Sequence, residues 1–295
     1  MRSTARNIGH LLKETLKGFI SDDGLKLSAA LSYYTIFSLP ALLIIIISLS
    51  GLFFDADVVR AEVFGHINGL VGADAALQTQ ETIKNVNLSS GNAFATVLGI
   101  IILLIVASGV FAEIQKSINH IWGIRAKSKR HVLKFTLNRL MSISMIGTAG
   151  FLLLLGLIAN FLIDILNKHL TVVFPQDAIN LFYVINTLIV FVIMGVLFGI
   201  IFKMLPDGKI AFRDCIVGAS FTALLFMIGK FAIGMYLRTY NIASFYGAAG
   251  SVIAILIWVY YSAAILYFGA EFTKVYAHTH GQKIIPNAYS ERTEK

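Results

Sequence analysis

The chain has 295 residues, of which 57% are hydrophobic and only 14% are charged. This composition excludes an ordinary soluble domain and indicates a polytopic membrane protein, and the single cysteine, Cys215, excludes an internal disulfide and a CxxC-type metal or redox site. The net charge of +8 is attributed first to the enrichment of Lys and Arg in cytoplasmic loops, and not to nucleic acid binding.

The N-terminal arm predicts an amphipathic helix ahead of the first membrane span. Its apolar stripe consists of Ile8, Leu11, Leu12, Thr15, Leu16, Phe19 and Ile20, with Lys13 and Lys17 on the opposite side. We expect this helix to lie in the membrane interface near anionic headgroups. The alternative is a short soluble helix packed on the bundle. Asp22, Asp23 and Gly24 then predict a turn into the membrane.

Six apolar runs predict an all-α membrane protein with six transmembrane helices in a single domain, 1–295. The runs cover about residues 28–54, 92–115, 136–166, 179–203, 214–237 and 251–274. The acidic connection 55–91 has apolar residues at helical spacing, so we expect it to form a helical external cap. An even number of spans places both termini on one side of the membrane. With Lys230 set aside as intramembrane, the terminal side carries 19 Lys and Arg residues against 4 on the other, which predicts cytoplasmic termini.

The first span contains an unusual polar stretch, LSYYTIFSLP, at residues 31–40. Tyr33, Tyr34 and Ser38 need polar partners if they are buried in lipid, so they either form interhelical hydrogen bonds or contact a substrate. Pro40 cannot donate a backbone hydrogen bond and is expected to kink the helix as a structural residue.

Charged residues inside or at the ends of other spans are further candidates for a polar pathway. Glu113 lies near the end of the second span and Arg139 near the start of the third. Lys230 lies about 12 Å inside the outer end of the fifth span. Because snorkelling covers only part of that depth, Lys230 is expected to be internally paired or functional.

The sixth span, within Tyr246–Lys274, has twenty uncharged residues from Ser251 to Ala270 and is rich in small residues. Small residues let helices approach closely in lipid, so this helix is expected to lie inside the bundle, with Gly247 and Gly250 as structural positions. Tyr260, Tyr267 and Glu271 share one helical face. This face either packs, with Glu271 pairing Lys274, or lines a polar pathway.

The ends of the second and sixth spans resemble each other. Five of twelve positions are identical between residues 112–123 and 270–281, and the alignment places Glu113 opposite Glu271. Two interpretations remain open, a parallel duplication of the first and third hairpins and chance convergence of two interfacial helix ends.

No enzyme signature is present. The sequence lacks a GxxxxGK[ST] loop, a GxSxG elbow and an HExxH motif. His278 and His280 have no third ligand nearby in sequence, so a solvated tail is favoured over a metal site. We therefore expect no catalytic residues, no metal site and no cofactor, and the basic run Arg125–Lys134 is explained by membrane orientation without nucleic acid.

Four stretches together resemble one family: LSYYTIFSLPALL (31–43), the Arg-bearing opening of the third span, MLPDGKI (204–210) and YGAAGSVIAILIWVYYSAAILYFGAEF (246–272). They resemble bacterial inner-membrane proteins of the YihY type, also called the virulence factor BrkB family and once labelled ribonuclease BN. MLPD departs from the Leu-Pro-Asn form expected of the family. The resemblance covers nearly the whole chain and implies a six-helix protein of the bacterial inner membrane, linked to envelope integrity and to export of lipids or lipid-linked molecules.

Three functions are compatible with these features. The first is transport, or help in export, of an envelope lipid or lipid-linked molecule. The second is proton-coupled secondary transport of a small solute, with Glu113, Glu271 or Lys230 carrying the proton. The third is a non-transporting membrane scaffold for envelope assembly. Membrane lipids are the expected partners, and envelope proteins and a homo-oligomer are left open.

Overall fold

The computed structural model describes residues 2–50, 93–126, 176–240, 250–280, 283–287 and 290–293, together with Ala61, Phe64, Gly65 and Leu77. The long helices within these ranges are α1 (Arg2–Ser21), α2 (Gly24–Ser50), α3 (Ala93–Ile121), α4 (Gln176–Met204), α5 (Phe212–Tyr240) and α6 (Gly250–Thr279). The predicted third span, 136–166, lies outside the described residues. So does most of the predicted cap, 55–91, although its four described positions are helical.

Three of these helices are long and apolar enough to cross a membrane by length and composition. The qualifying segments are Thr187–Met204, Phe212–Lys230 and Val252–Thr279, which correspond to the predicted fourth, fifth and sixth spans. Helices α2 and α3 coincide with the predicted first and second spans. The molecule is therefore mostly helical, and the count of six spans stays a prediction.

Helix α6 lies at the centre of the described helices. It contacts α1, α2, α3 and α5, while α2 packs on α3 and α4 packs on α5. The crossing of α5 and α6 is close, because a Cβ added at Gly218 would collide with Thr273 and one added at Gly269 would collide with Thr222. Each threonine donates its hydroxyl to a glycine carbonyl of its own helix at 2.7 Å. Small residues thus bring α6 into the bundle as predicted.

The described residues also contain four short strands that the sequence did not predict, β1 (Ile124–Ala126), β2 (Gly208–Lys209), β3 (Ile285–Pro286) and β4 (Ser290–Arg292). β1 pairs with β4 and β2 pairs with β3, both antiparallel. The pairing folds the C-terminal segment back over the helix ends and buries Ile284 against the core. Two- and three-residue strands leave no hydropathy period to detect. We call this end of the molecule the strand-bearing end.

Helix α1 packs on α6 with only part of its apolar stripe. Leu11, Thr15 and Phe19 are buried, and the Phe19 ring meets Phe268 edge-on at 5.6 Å. Leu12, Leu16 and Ile20 stay exposed. The predicted turn after α1 is confirmed by Asp23, whose φ of 55° is left-handed, and by Gly24, where a side chain would collide with the Phe19 ring.

Candidate functional site

A buried group of charges lies where α1, α3 and α6 meet at the strand-bearing end. The Lys274 ammonium lies 2.9 Å from the Asp22 carboxylate and 2.8 Å from the Glu271 carboxylate, and it donates to the Ile121 carbonyl at 2.7 Å. Both carboxylates are buried, at 3% and 1% exposure of the residue. The predicted Glu271–Lys274 pair is therefore present, and the turn residue Asp22 joins it. We call these three side chains the Lys274 triad.

A second set of buried polar groups lies between α3 and α6. The Tyr267 hydroxyl lies beside the Ser117 hydroxyl and within electrostatic range of Glu113. All three residues are buried, and among the described residues neither hydroxyl has a hydrogen-bond partner of good geometry. Buried hydroxyls without a well-aligned hydrogen bond are uncommon in folded proteins. The face that carries Tyr267 and Glu271 thus meets neighbouring helices at these two positions.

An open groove of about 530 Å³ separates α1 from the last turns of α6. Its lining is Glu14, Lys17, Gly18, Ser21, Glu271, Val275, His278 and Thr279. At its floor α1 comes so close to α6 that a Cβ on Gly18 would collide with the Glu271 carboxylate. The α1–α6 groove therefore combines charged side chains with one member of the Lys274 triad, Glu271.

The polar residues of the first span separate into two groups. Ser38 is buried and donates to the Val106 carbonyl of α3 at 2.8 Å, which is the expected interhelical bond. Tyr33 and Tyr34 are exposed, because the buried positions of α2 lie on another face of that helix. Tyr33 packs against Phe37, with ring centroids 5.0 Å apart. The structure does not bring the two tyrosines into the buried cluster, and α2 stays helical through Pro40.

The remaining predicted residues are placed as follows. Lys230 is exposed, and this corrects the prediction that it is internally paired. A whole number of helical turns separates Lys230 from Phe212, which is also exposed. Both residues therefore lie on the outer face of α5. Tyr260 is half-buried and Gly250 is the first residue of α6. Arg139 and Gly247 lie outside the described residues.

Sequence reasoning missed a polar bracket around Asp207. The Asp207 carboxylate accepts hydrogen bonds from Gln115 at 3.3 Å and Asn119 at 2.8 Å, and its backbone N–H donates to Asn119 at 2.8 Å. Its carbonyl accepts the backbone N–H of Asn287 at 2.8 Å. This bracket joins α3, the α4–α5 connection and the C-terminal segment. The available signal was the spacing of Gln115 and Asn119, which share a helical face.

The described site consists of charged and hydrogen-bonding side chains. The part of the chain that the structure describes has no group of three His, Cys, Asp or Glu side chains placed to hold a metal ion. The arrangement instead offers a charged groove, a buried ion triad and two buried hydroxyls beside a carboxylate.

The comparisons with known proteins point to one family. A family model described as virulence factor BrkB matches residues 15–292. A UPF0761 membrane protein of Pseudomonas paraeruginosa is 26% identical over 255 residues, covering 85% of this chain and 59% of that protein. The putative ribonuclease-like protein YfkH of Bacillus subtilis is 25% identical over 284 residues, covering 94% of this chain and 97% of that protein.

The chain thus spans about three-fifths of the Pseudomonas relative and nearly all of the Bacillus protein. No solved structure matches it. The family match begins within α1 and ends in β4, so it includes the Lys274 triad, the four described strands and every lining residue of the α1–α6 groove except Glu14. On this match the chain belongs to the virulence factor BrkB family of membrane proteins.

Proposed function

We propose that the chain is a multi-pass protein of the bacterial inner membrane with six transmembrane helices and both termini in the cytoplasm. The distribution of Lys and Arg along the sequence supports this orientation. In the proposed orientation the strand-bearing end, with the α1–α6 groove and the Lys274 triad, faces the cytoplasm.

We propose further that the chain binds an envelope lipid or lipid-linked molecule and helps to export it. The observation that carries this proposal is the surroundings of the α1–α6 groove. Leu12, Leu16 and Ile20, exposed by 39%, 52% and 66%, form an apolar row on a different face of α1 from the charged lining. An amphipathic molecule can place its headgroup in the groove while this row of α1 contacts the acyl-chain region of the membrane. The proposed role is binding and movement, without a catalytic step.

Filling the groove tests the proposal. Thr279 lines the groove and is exposed, so Thr279→Trp should narrow it without disturbing the core. The matched control is His280→Trp, at an exposed neighbouring position outside the lining. The measurement is transfer of fluorescent phospholipid between leaflets of liposomes that hold purified protein. We expect Thr279→Trp to slow transfer several-fold and His280→Trp to leave it unchanged. Equal rates for all three proteins, or no transfer above empty liposomes, would refute the proposal.

A second candidate function, proton-coupled transport of a small solute, is favoured by the buried Glu113, Ser117 and Tyr267. A carboxylate beside two hydroxyls can carry a proton between neighbouring groups. The test is proton flux into proteoliposomes under an imposed pH gradient, read with an internal pH-sensitive dye. We expect Glu113→Gln to abolish the flux and the exposed Lys230→Met to retain it. An unchanged flux in Glu113→Gln removes this residue from the mechanism.

A further inference from the structure

A second cavity lies at the strand-bearing end, against a different face of α6 from the α1–α6 groove. Its volume is about 350 Å³. Three charged residues, Asp214, Lys209 and Lys283, line it together with apolar residues that include Ala277, Ile284 and Ile285. The first turn of α5 supplies Asp214, β2 supplies Lys209, and the segment that leads into β3 supplies Lys283. The C-terminal segment therefore completes the cavity.

Asp214 is the unusual residue of this cavity. It is only 2% exposed, and its Oδ2 atom has no hydrogen-bond partner among the described residues. An ionised carboxylate accepts hydrogen bonds and cannot donate them. A buried acceptor without a donor is rare enough in folded proteins to require an explanation. Its position in the first turn of α5 stabilises negative charge, but the turn does not supply a hydrogen bond to Oδ2.

The two lysines give the cavity a positive outer part. Lys209 and Lys283 are both exposed, and within the described ranges neither forms an ion pair. Two ammonium groups that share one cavity favour an anion with several acceptor oxygens, such as a phosphate. The Asp214 carboxylate is thus an acceptor in the wall of the cavity, and the Lys209 and Lys283 ammonium groups are donors at its exposed side. A ligand that matches has a hydrogen-bond donor at one end and a phosphate next to it.

An exposed apolar side chain also lines this polar cavity. Ile285 belongs to the lining and is 62% exposed. Phe212 and Ile216 are exposed as well, but each lies two residues from Asp214, on another face of α5 and outside the lining. An exposed large apolar side chain beside a polar pocket is suited to a ligand that is itself amphipathic.

We propose that this cavity binds a phosphate ester that carries a primary amine, the chemistry of a phosphoethanolamine headgroup. The amine donates to Asp214, the phosphate contacts Lys209 and Lys283, and any acyl chain lies along Ile285. The site is separate from the α1–α6 groove and does not depend on the transport proposal.

Binding of soluble headgroups to the purified full chain tests the chemistry. Phosphoethanolamine and phosphocholine differ only at the nitrogen. The ammonium group of phosphoethanolamine has three N–H donors, and three methyl groups replace these hydrogens in phosphocholine. We expect phosphoethanolamine to bind at least about tenfold more tightly, because phosphocholine leaves Asp214 without a donor. Asp214→Asn should remove most of this preference. Lys209→Met and Lys283→Met should weaken both ligands about equally, while the exposed Lys26→Met, outside the cavity, should change neither.

Binding in nanodiscs distinguishes the two sources of such a headgroup, a membrane lipid and a free ester. If the headgroup belongs to a membrane lipid, discs of phosphatidylethanolamine block binding of soluble phosphoethanolamine, and discs of phosphatidylcholine do not. If a free ester is the ligand, binding is the same in both discs. Equal affinity for the two soluble headgroups, or affinity unchanged in both lysine variants, overturns the proposal and leaves water as the partner of Asp214. The lysine variants and the phosphocholine comparison decide the matter even if Asp214→Asn fails to fold.

Discussion

Lys274 and Lys116 occupy corresponding positions three residues after Glu271 and Glu113, yet their surroundings differ. The Lys274 side chain is 17% exposed and pairs with two buried carboxylates, whereas the Lys116 side chain is 79% exposed and lies 4.0 Å from Glu113. Removing one partner of a buried ion group leaves charge without compensation. We expect Lys274→Met to lower the free energy of unfolding by about 3–5 kcal/mol, and Lys116→Met to lower it by about 1 kcal/mol or less. Equilibrium denaturation in mixed micelles measures both.

Neutralising the carboxylates should rescue the first variant. Adding Asp22→Asn and Glu271→Gln to Lys274→Met removes the uncompensated charge, so part of the lost stability returns. Similar losses for Lys274→Met and Lys116→Met, or no recovery in the triple variant, would show that the triad does not act as a buried ion group.

Both glutamates are buried and both have an i+3 lysine, but a duplicated origin for the two helix ends stays a prediction.

Asp207 is the residue for which the family resemblance favours asparagine, and its hydrogen bonds explain why that change is not neutral here. Asp207→Asn turns one carboxylate oxygen into a donor that faces the donor Nδ2 of Asn119 or the donor Nε2 of Gln115. We expect a loss of about 1–3 kcal/mol in unfolding free energy. The swap Asp207→Asn with Asn119→Asp restores an acceptor opposite each donor and should recover most of it. A swap less stable than both single variants would contradict this account.

At the scale of elements, two glycines of the long helices should respond to alanine with opposite signs. A Cβ at Gly269 of α6 would collide with Thr222, while one at Gly195 of α4 meets no atom within 4 Å. Gly269→Ala must therefore push α5 and α6 apart, and we expect it to destabilise the protein by about 1–3 kcal/mol. Gly195→Ala should stabilise it by about 0.5–1 kcal/mol, since alanine loses less backbone entropy on folding. Denaturation under the same conditions tests the sign, and destabilisation by both variants would refute the assignment.

Helix positions were predictable because apolar runs of membrane length are a strong signal, but the helix ends were not. The predicted second and sixth spans stop at 115 and 274, whereas α3 continues to Ile121 and α6 to Thr279. Tertiary contacts hold the end of α3, such as the Lys274 ammonium donating to the Ile121 carbonyl at 2.7 Å. A hydropathy pattern carries no information on such contacts. For the same reason it did not predict the strands or the Asp207 bracket.

Part of the candidate site could be predicted, because polar and charged residues within an apolar run are easily recognised in a sequence. Glu113, Tyr267 and Glu271 were found in this way and are buried together near the ends of α3 and α6. Lys230 was equally conspicuous but lies on the exposed face of α5, because a single sequence does not reveal which helix face is covered. Asp22 was read only as a turn residue, since its partner Lys274 is far away along the chain.

At the scale of the whole molecule, α6 separates two cavities at one end of the bundle. The α1–α6 groove uses Glu271, Val275 and His278, and the second cavity uses Ala277 from another face of the same helix. The groove lies beside α1, and the second cavity lies beside β2 and β3, both near the end of α6. The proposed orientation places both cavities on the cytoplasmic side of the membrane.

Cysteine labelling tests this orientation with little background, because the chain has one cysteine and Cys215 is buried at 2% exposure. Leu77 lies in the predicted external cap and is 57% exposed, and His280 is exposed at the end of α6. A membrane-impermeant maleimide should label Leu77→Cys in intact spheroplasts and should label His280→Cys only after permeabilisation. The unsubstituted chain is the control and should stay unlabelled in both conditions. Labelling of His280→Cys from outside, with Leu77→Cys protected, would reverse the topology and place both cavities on the external face.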